Sequence, residues 1–213
     1  FRPAVQAKQQ DLQLQSGTNG QMCHIPFGTP MLTYATRGME PLRGFAEFMR
    51  AAAFAQQQIP DLHVVVAGDD RVAYSYLPQH SSGSWKQQLL EELDGRLDLS
   101  RLHFPGLLNY GELMLLFQHS DLHCYFTHPY VISWGLFQAA ACGARLLIND
   151  FPGFEEIFRD PEDVVRVNLE NQESINFAVL KILQSSNRQQ KSNLRPGLEL
   201  ATTQQAWLRL ING

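Results

Sequence analysis

The sequence predicts a doubly wound α/β domain, a parallel sheet with helices on both faces. Three observations carry this. Short apolar runs of strand length alternate along the chain with segments of helical periodicity, and that alternation is the mark of a parallel sheet built from crossover units. Leu62 to Gly68 (LHVVVAG) is apolar without a polar face, as a strand covered on both sides must be. Asp121 to Asp150 (DLHCYFTHPYVISWGLFQAAACGARLLIND) reads as strand, loop, helix and strand in one stretch. Leu122 to Thr127 is its first strand, stopped by His128-Pro129. The helix begins near Ile132 and ends at Gly143, where a left-handed C-cap residue is wanted. Three alanines, Ala139, Ala140 and Ala141, let this helix approach a sheet closely. Its first turn is then the open end, and the amides of Ser133, Trp134 and Gly135 are expected to face outward with the positive end of the helix dipole, a seat for phosphate.

Composition narrows the function classes. The chain has 213 residues, 44% of them hydrophobic, enough for one real core with appendages. A formal net charge of −4 gives no global basic field, so nucleic acid is not an expected partner. No apolar run approaches the roughly 20 residues of a membrane span. Three cysteines, Cys23, Cys124 and Cys142, two of them inside predicted elements, read as buried thiols of a reducing, cytoplasmic protein. The chain begins at Phe1 and not at methionine, and is expected to be a piece of something longer.

Taken in order, residues 1–30 are rich in Gln, Gly and Pro without sustained period and read as a linker with at most one short helix. Met31 to Ala35 is the first core strand, followed by a loop holding Arg37 and Arg43. Phe45 to Gln57 is a helix with one apolar stripe through Phe45, Phe48, Met49 and Ala52. Both arginines thus stand where a strand's carboxyl end meets a helix, the ligand edge of open α/β sheets. After the strand Leu62 to Gly68 comes a long loop, residues 71–83, of a length that is often functional. Trp85 to Leu93 is a helix capped by Ser84, Leu102 to Phe104 a short strand, and Tyr110 to His119 an amphipathic helix. Beyond the central unit lie a strand at Val164 to Val167, a helix at Glu173 to Gln184, and a tail helix at Pro196 to Ile211 with Trp207 and Leu208 available for packing. The expected division is a linker over 1–30, a domain over 31–186 and a helical tail over 187–213.

Five segments, in order, carry a family resemblance: ATRGMEPLRG, LHVVVAGDD, RLHFPGLLNYGEL, SDLHCYFTHPYVISWGLFQAAACG and NDFPGFEEIF. From Tyr34 to about Leu183 the chain resembles the C-terminal, donor-binding half of a retaining GT-B glycosyltransferase of group 1, also called family 4. The opening Phe1-Arg2-Pro3 resembles the end of that family's interdomain linker. The resemblance implies that a nucleoside-diphosphate sugar is the donor and that an acceptor-binding N-terminal half is absent from this chain. Any peripheral membrane contact would belong to that half. It further implies that Arg37 and Arg43 hold the diphosphate, a task suited to forked guanidinium hydrogen bonds. With that charge met by side chains, no metal or other cofactor is expected. Leu108 matches a position whose backbone contacts the base, beside the plain alternative of a buried leucine. Trp134 and Gly135 match positions under the nucleoside phosphate.

The departures are as informative. The family hallmark is a glutamate, seven residues and a second glutamate; here Tyr130 and Gln138 stand at those two places. Glutamine keeps one carbonyl acceptor for the ribose hydroxyls but no charge. Tyr130 can make one hydrogen bond, cannot place a negative charge by the sugar, and stands in a Pro-aromatic-Val-x-Ser-Trp form of the loop that marks a subfamily. The histidines His119, His123 and His128 with Cys124 are dense in metal-capable atoms, yet neighbours on a strand point to opposite faces, and no metal site is expected. Glu155 and Glu156 read as charges favourable at a helix start, with the resemblance offering Glu156 a place in a turn near the donor. Asp69 and Asp70 read as loop caps, and Gln56 to Gln58 and Gln87-Gln88 as solvated helix faces. The functional expectation is therefore a nucleotide-sugar-binding glycosyltransferase domain. The alternatives are a non-catalytic GT-B-like binding or assembly module and, from another class, a flavodoxin-like nucleotide-binding domain, disfavoured because no Gly-rich phosphate loop follows the first strand.

Overall fold

The apolar runs of the sequence become six parallel strands, and the periodic segments between them become the helices that cover the sheet. In the computed structural model the described residues are 10–15, 22–79, 83–128, 132–160, 164–185, 191–198 and 200–212. In chain order the elements are β1 (Leu12–Gln15), β2 (Met22–Ile25), β3 (Met31–Gly38), α1 (Phe45–Gln58), β4 (His63–Asp69), α2 (Trp85–Glu92), β5 (Leu102–Gly106) and α3 (Tyr110–His119). There follow β6 (Leu122–Tyr125), α4 (Trp134–Ala141), β7 (Leu146–Asn149), β8 (Val165–Val167), α5 (Gln172–Gln184) and α6 (Leu200–Asn212). The main sheet has the order β5-β4-β3-β6-β7-β8 with every pairing parallel. The chain therefore winds outward from β3 through β4 and β5, then returns to the other side of β3. The reversal falls between β3 and β6, and in open α/β sheets such a switch point opens a crevice at the carboxyl ends.

Alternate residues of each strand serve opposite faces. Leu32, Tyr34, Val64, Val66, Leu122, Cys124 and Leu147 meet Phe45, Phe48 and Met49 of α1, Leu89 of α2, and Ile175 and Val179 of α5. On the other face Tyr125, Leu146 and Ile148 meet Phe117 of α3 and Leu136, Ala139 and Ala140 of α4. The caps follow the expected chemistry: the Ser84 hydroxyl accepts from the Gln87 amide, and Asn109 and Glu112 form a reciprocal capping box at α3.

Where a linker was expected over 1–30, the structure has an antiparallel hairpin of β1 and β2. Leu12, Leu14 and Ile25 are buried beside Val65, Ala67 and Leu116. The pattern Leu-Gln-Leu-Gln has period two, half apolar and half solvated, so a glutamine-rich composition hid a strand. The Gln15 amide ties the hairpin to α3 by donating to the Glu112 carboxylate at 2.9 Å. At the other end the packing passes residue 186: Leu194 is buried, the Asn193 amide donates to the Ala140 carbonyl at 2.9 Å, and Arg195 donates to Ile157 at 2.8 Å. In α6 Trp207 and Leu208 are 62% and 56% exposed, so neither is packed among the described residues. No helix among the described residues is long and apolar enough to cross a membrane. One solvated-face expectation is corrected: Gln56 is buried, its amide donating to the carbonyls of Leu62 and Asp98 while its carbonyl accepts from the Asp98 amide. It splints α1 to the segment before β5.

All three cysteines are free and buried, and burial pushes the thiols of Cys23 and Cys142 up to about 11. His123 and Cys124 face opposite sides of β6, the first against Phe117 and the second in the α1 core. His123 is fully enclosed, its Nδ1 2.9 Å from the Thr33 hydroxyl, and burial pushes its pKa down to about 3. The unfolded chain, with an ordinary histidine near 6.5, then binds more protons than the folded one, so stability is lost as pH falls below about 6.5. Denaturant unfolding at pH 7 and pH 5 should differ by about 2 kcal/mol from this residue, at ~1.4 kcal/mol per pH unit of unmatched protonation. In His123→Gln, which keeps a hydrogen-bonding side chain without the titration, the acid loss should be visibly shallower.

Candidate functional site

A cleft of about 490 Å³ opens at the carboxyl ends of β3, β4 and β6, at the switch point. Its wall is made by Tyr34 to Arg37 at the end of β3, Ala67 and Gly68 of β4, Leu107 and Leu108 after β5, Tyr125 at the end of β6 and Phe126 just past it, and Ile132 to Gly135 with Gln138 at the start of α4. Arg37, Arg43, Leu108, Ser133, Trp134, Gly135 and Gln138, drawn from three separate loops in the sequence, thus share one cavity. Tyr130 lies outside the described residues. Glu155 and Glu156 are exposed and do not line the cleft. Among the described residues no group of three His, Cys, Asp or Glu is arranged to hold a metal ion.

The arginine loop is held rigidly. Pro41 to Arg43 form a 3-10 turn ended by Gly44 at φ 62°, a left-handed conformation that only glycine adopts freely. A methyl group on Gly44 would lie 2.4 Å from Phe126 Cβ, so the loop rests directly on the end of β6. The buried Tyr34 ring stacks on Phe48, and its hydroxyl donates to the Arg43 carbonyl at 2.7 Å. The Arg43 guanidinium donates to the Thr127 hydroxyl at 3.0 Å and lies 5.0 Å above the Tyr74 ring centroid, a cation–π contact. Thr127 is itself clamped: its amide donates to Asn149 Oδ1 at 2.8 Å and its carbonyl accepts from Asn149 Nδ2 at 2.7 Å. Arg37 is exposed at the rim and has no ion-pair partner among the described residues.

Glu40, which lies between the two arginines in sequence, is fully buried. Its Oε2 accepts from three successive amides, Ala73, Tyr74 and Ser75, at 2.7, 2.9 and 3.1 Å. The carboxylate thereby draws the first half of the long 71–83 loop onto the arginine loop and sets Tyr74 beneath Arg43. Glu40 is not part of the cleft lining, and the three amides meet only Oε2; Oε1 is buried without a hydrogen-bond partner among the described residues. Asp70 accepts from the Ser84 hydroxyl at 2.7 Å, as a loop cap does, and the half-buried Leu108 lines the cleft and packs against the hairpin cluster. The amide of Ser133 does not face outward. It donates to the Tyr125 hydroxyl at 2.9 Å, which corrects the expectation of three outward amides. Trp134 and Gly135 remain at the open turn of α4, with Trp134 81% exposed, where first-turn amides lack acceptors within the helix.

Glu40, Tyr74, Tyr125 and Thr127 do not stand out in the sequence. The only hint was a carboxylate set between two arginines in a strand-to-helix loop.

An open parallel sheet covered by helices, with a cleft at its switch point, is the fold of the C-terminal domains of GT-B glycosyltransferases. The family model for group 1 glycosyl transferases matches residues 27–195, and the chain belongs to that family. No protein of curated function matches it by sequence. Among solved structures it is similar to the C-terminal domain of a group 1 family protein, LpcC, from Francisella tularensis, with 17% identity and a TM-score of 0.61 over 76% of this chain and 79% of that one. It is also similar to sucrose-phosphate synthase from Thermosynechococcus elongatus (16% identity, TM-score 0.68, 100% and 50% coverage) and to HepE from Anabaena, solved with UDP-glucose (15% identity, TM-score 0.61, 87% and 50% coverage). The chain spans half the length of each of these two.

Replacing Glu40 by alanine leaves three part-buried amides without their side-chain acceptor and should destabilise the fold by about 3 kcal/mol, at ~1 kcal/mol for each lost hydrogen bond. Chemical denaturation checks this, and Glu40→Gln, whose carbonyl still accepts, should lose less than half as much.

Proposed function

We propose that the cleft binds a nucleoside-diphosphate sugar and that the domain serves, within a longer enzyme, transfer of that sugar with retained configuration to an acceptor held by an N-terminal half. The convergence of Arg37, Arg43, the start of α4 and Gln138 on one cleft supports this reading best. A diphosphate in that cleft meets two guanidinium groups and the positive end of a helix. As the glycosidic bond to the donor breaks, negative charge grows on the departing β-phosphate oxygen. Groups already placed to receive that charge lower the barrier without reorganising. Arg43, held by Thr127 and Tyr74, is the better oriented of the two. In this reading the arginines carry the leaving-group charge and no metal cofactor takes part. The exposed Leu107 and the half-buried Leu108 border the part of the cleft suited to the base, and Gln138 the part suited to the ribose, with one acceptor and no charge. HepE, which carries UDP-glucose in its structure, is one neighbour whose ligand agrees with this class of donor.

A second reading, a binding or assembly module without catalysis, is favoured by one observation: the two places of the family's glutamate pair are Tyr130 and Gln138.

Calorimetric titration with UDP, GDP and their glucose and mannose conjugates separates the two. The donor reading expects saturable binding of one base, weakened about tenfold or more in Arg37→Ala and in Arg43→Ala, the scale of a charged hydrogen bond. Absence of binding at millimolar ligand, from a sample with a cooperative melt, overturns it in favour of the module.

Restoring the carboxylate in Gln138→Glu should tighten nucleotide binding by about tenfold. An unchanged affinity would mean that Gln138 does not meet the ligand.

A further inference from the structure

Tyr125 ends β6 inside the cleft, with only 6% of its surface exposed. Its hydroxyl oxygen accepts from the Ser133 amide at 2.9 Å. A phenol that accepts one hydrogen bond still has its own proton to give, and no described residue takes that proton. An O–H that faces a cleft gives its proton to solvent or to a bound molecule, and an anionic oxygen is the stronger acceptor of the two. Accepting from the amide also polarises the O–H and makes it a better donor. Ser133, Trp134 and Arg43 line the same cavity, so the unspent proton lies among the groups that favour an anion.

We infer that Tyr125 is a ligand-binding residue of this cleft, donating its phenolic proton to a phosphoryl oxygen while its oxygen holds the Ser133 amide. The helix terminus thus offers the ligand a relayed donor: the backbone N–H points at the phenol, and the phenol points at the phosphate. This deepens the donor-site reading and rests on it. Ring packing is kept in Tyr125→Phe, so the variant removes the relay and little else.

The test compares wild-type chain and Tyr125→Phe by calorimetry with UDP and GDP and, in parallel arms, with uridine and guanosine. Melting curves confirm that both samples are folded. The expected result is a loss of about tenfold for the diphosphate that binds, the scale of a hydrogen bond to a charged group, with nucleoside affinity unchanged. Equal losses for nucleoside and diphosphate would mean that Tyr125 only shapes the cleft, and an unchanged diphosphate affinity would mean that the phenol does not reach the phosphate. Either overturns this inference and leaves the donor site standing. Wild-type chain that binds neither diphosphate overturns both.

Discussion

The reversal of strand order beside β3 is the constraint on which the rest of the molecule depends. The connections leaving β3 and β6 depart from neighbouring carboxyl ends to helices on opposite faces of the sheet, α1 on one and α4 on the other. The sheet therefore has a crevice whose walls are given by topology before any side chain is chosen. What the sequence adds is the means of keeping that crevice open and stiff. Gly44 allows the arginine loop to lie on Phe126 with no atom to spare, Tyr34 pins the loop from below, and Asn149 grips Thr127 from the neighbouring strand. Residues on β3, just past β6 and on β7 thus share the orientation of a single arginine.

The electrostatic character of the cleft follows from the same economy. Two arginines border it, and the one acidic side chain between them is folded inward onto three amides. The segment reads as charge-balanced in sequence, yet its surface is cationic. A carboxylate oxygen that takes three successive amides ties down the loop above it, whereas the same group facing the cleft would repel an anion.

Much of the fold was legible because its determinants are local. Continuous apolar runs, a C-cap glycine and N-cap residues such as Ser84 and Asn109 act over a few positions, and the strands and helices formed where these signals stood. The parts that were not legible depend on partners far along the chain. Glu40 finds its amides 33 to 35 residues away, and Gln56 finds Asp98 42 residues away. Both side chains are polar, and nothing nearby marks them as buried. The hairpin of β1 and β2 has strands of four residues, too short for a composition argument, and its burial depends on α3 and β4. For the site, position along strand ends and at a helix start was enough to pick out seven residues that share one cleft. The direction of the Ser133 amide was not, because a strand residue such as Tyr125 reads as core from either side.

The buried thiols have a practical side. Cys23 and Cys142 titrate near 11, and Cys124 is enclosed in the α1 core. At pH 8 a thiol of that pKa is ionised to roughly one part in a thousand, and the thiolate is the reactive form. The native chain is thus nearly silent toward thiol-directed reagents. A single cysteine placed on the exposed rim, with an ordinary pKa of about 8.5, would react alone, so fluorophores or spin labels can be set beside the cleft without first stripping the protein of its own sulfur.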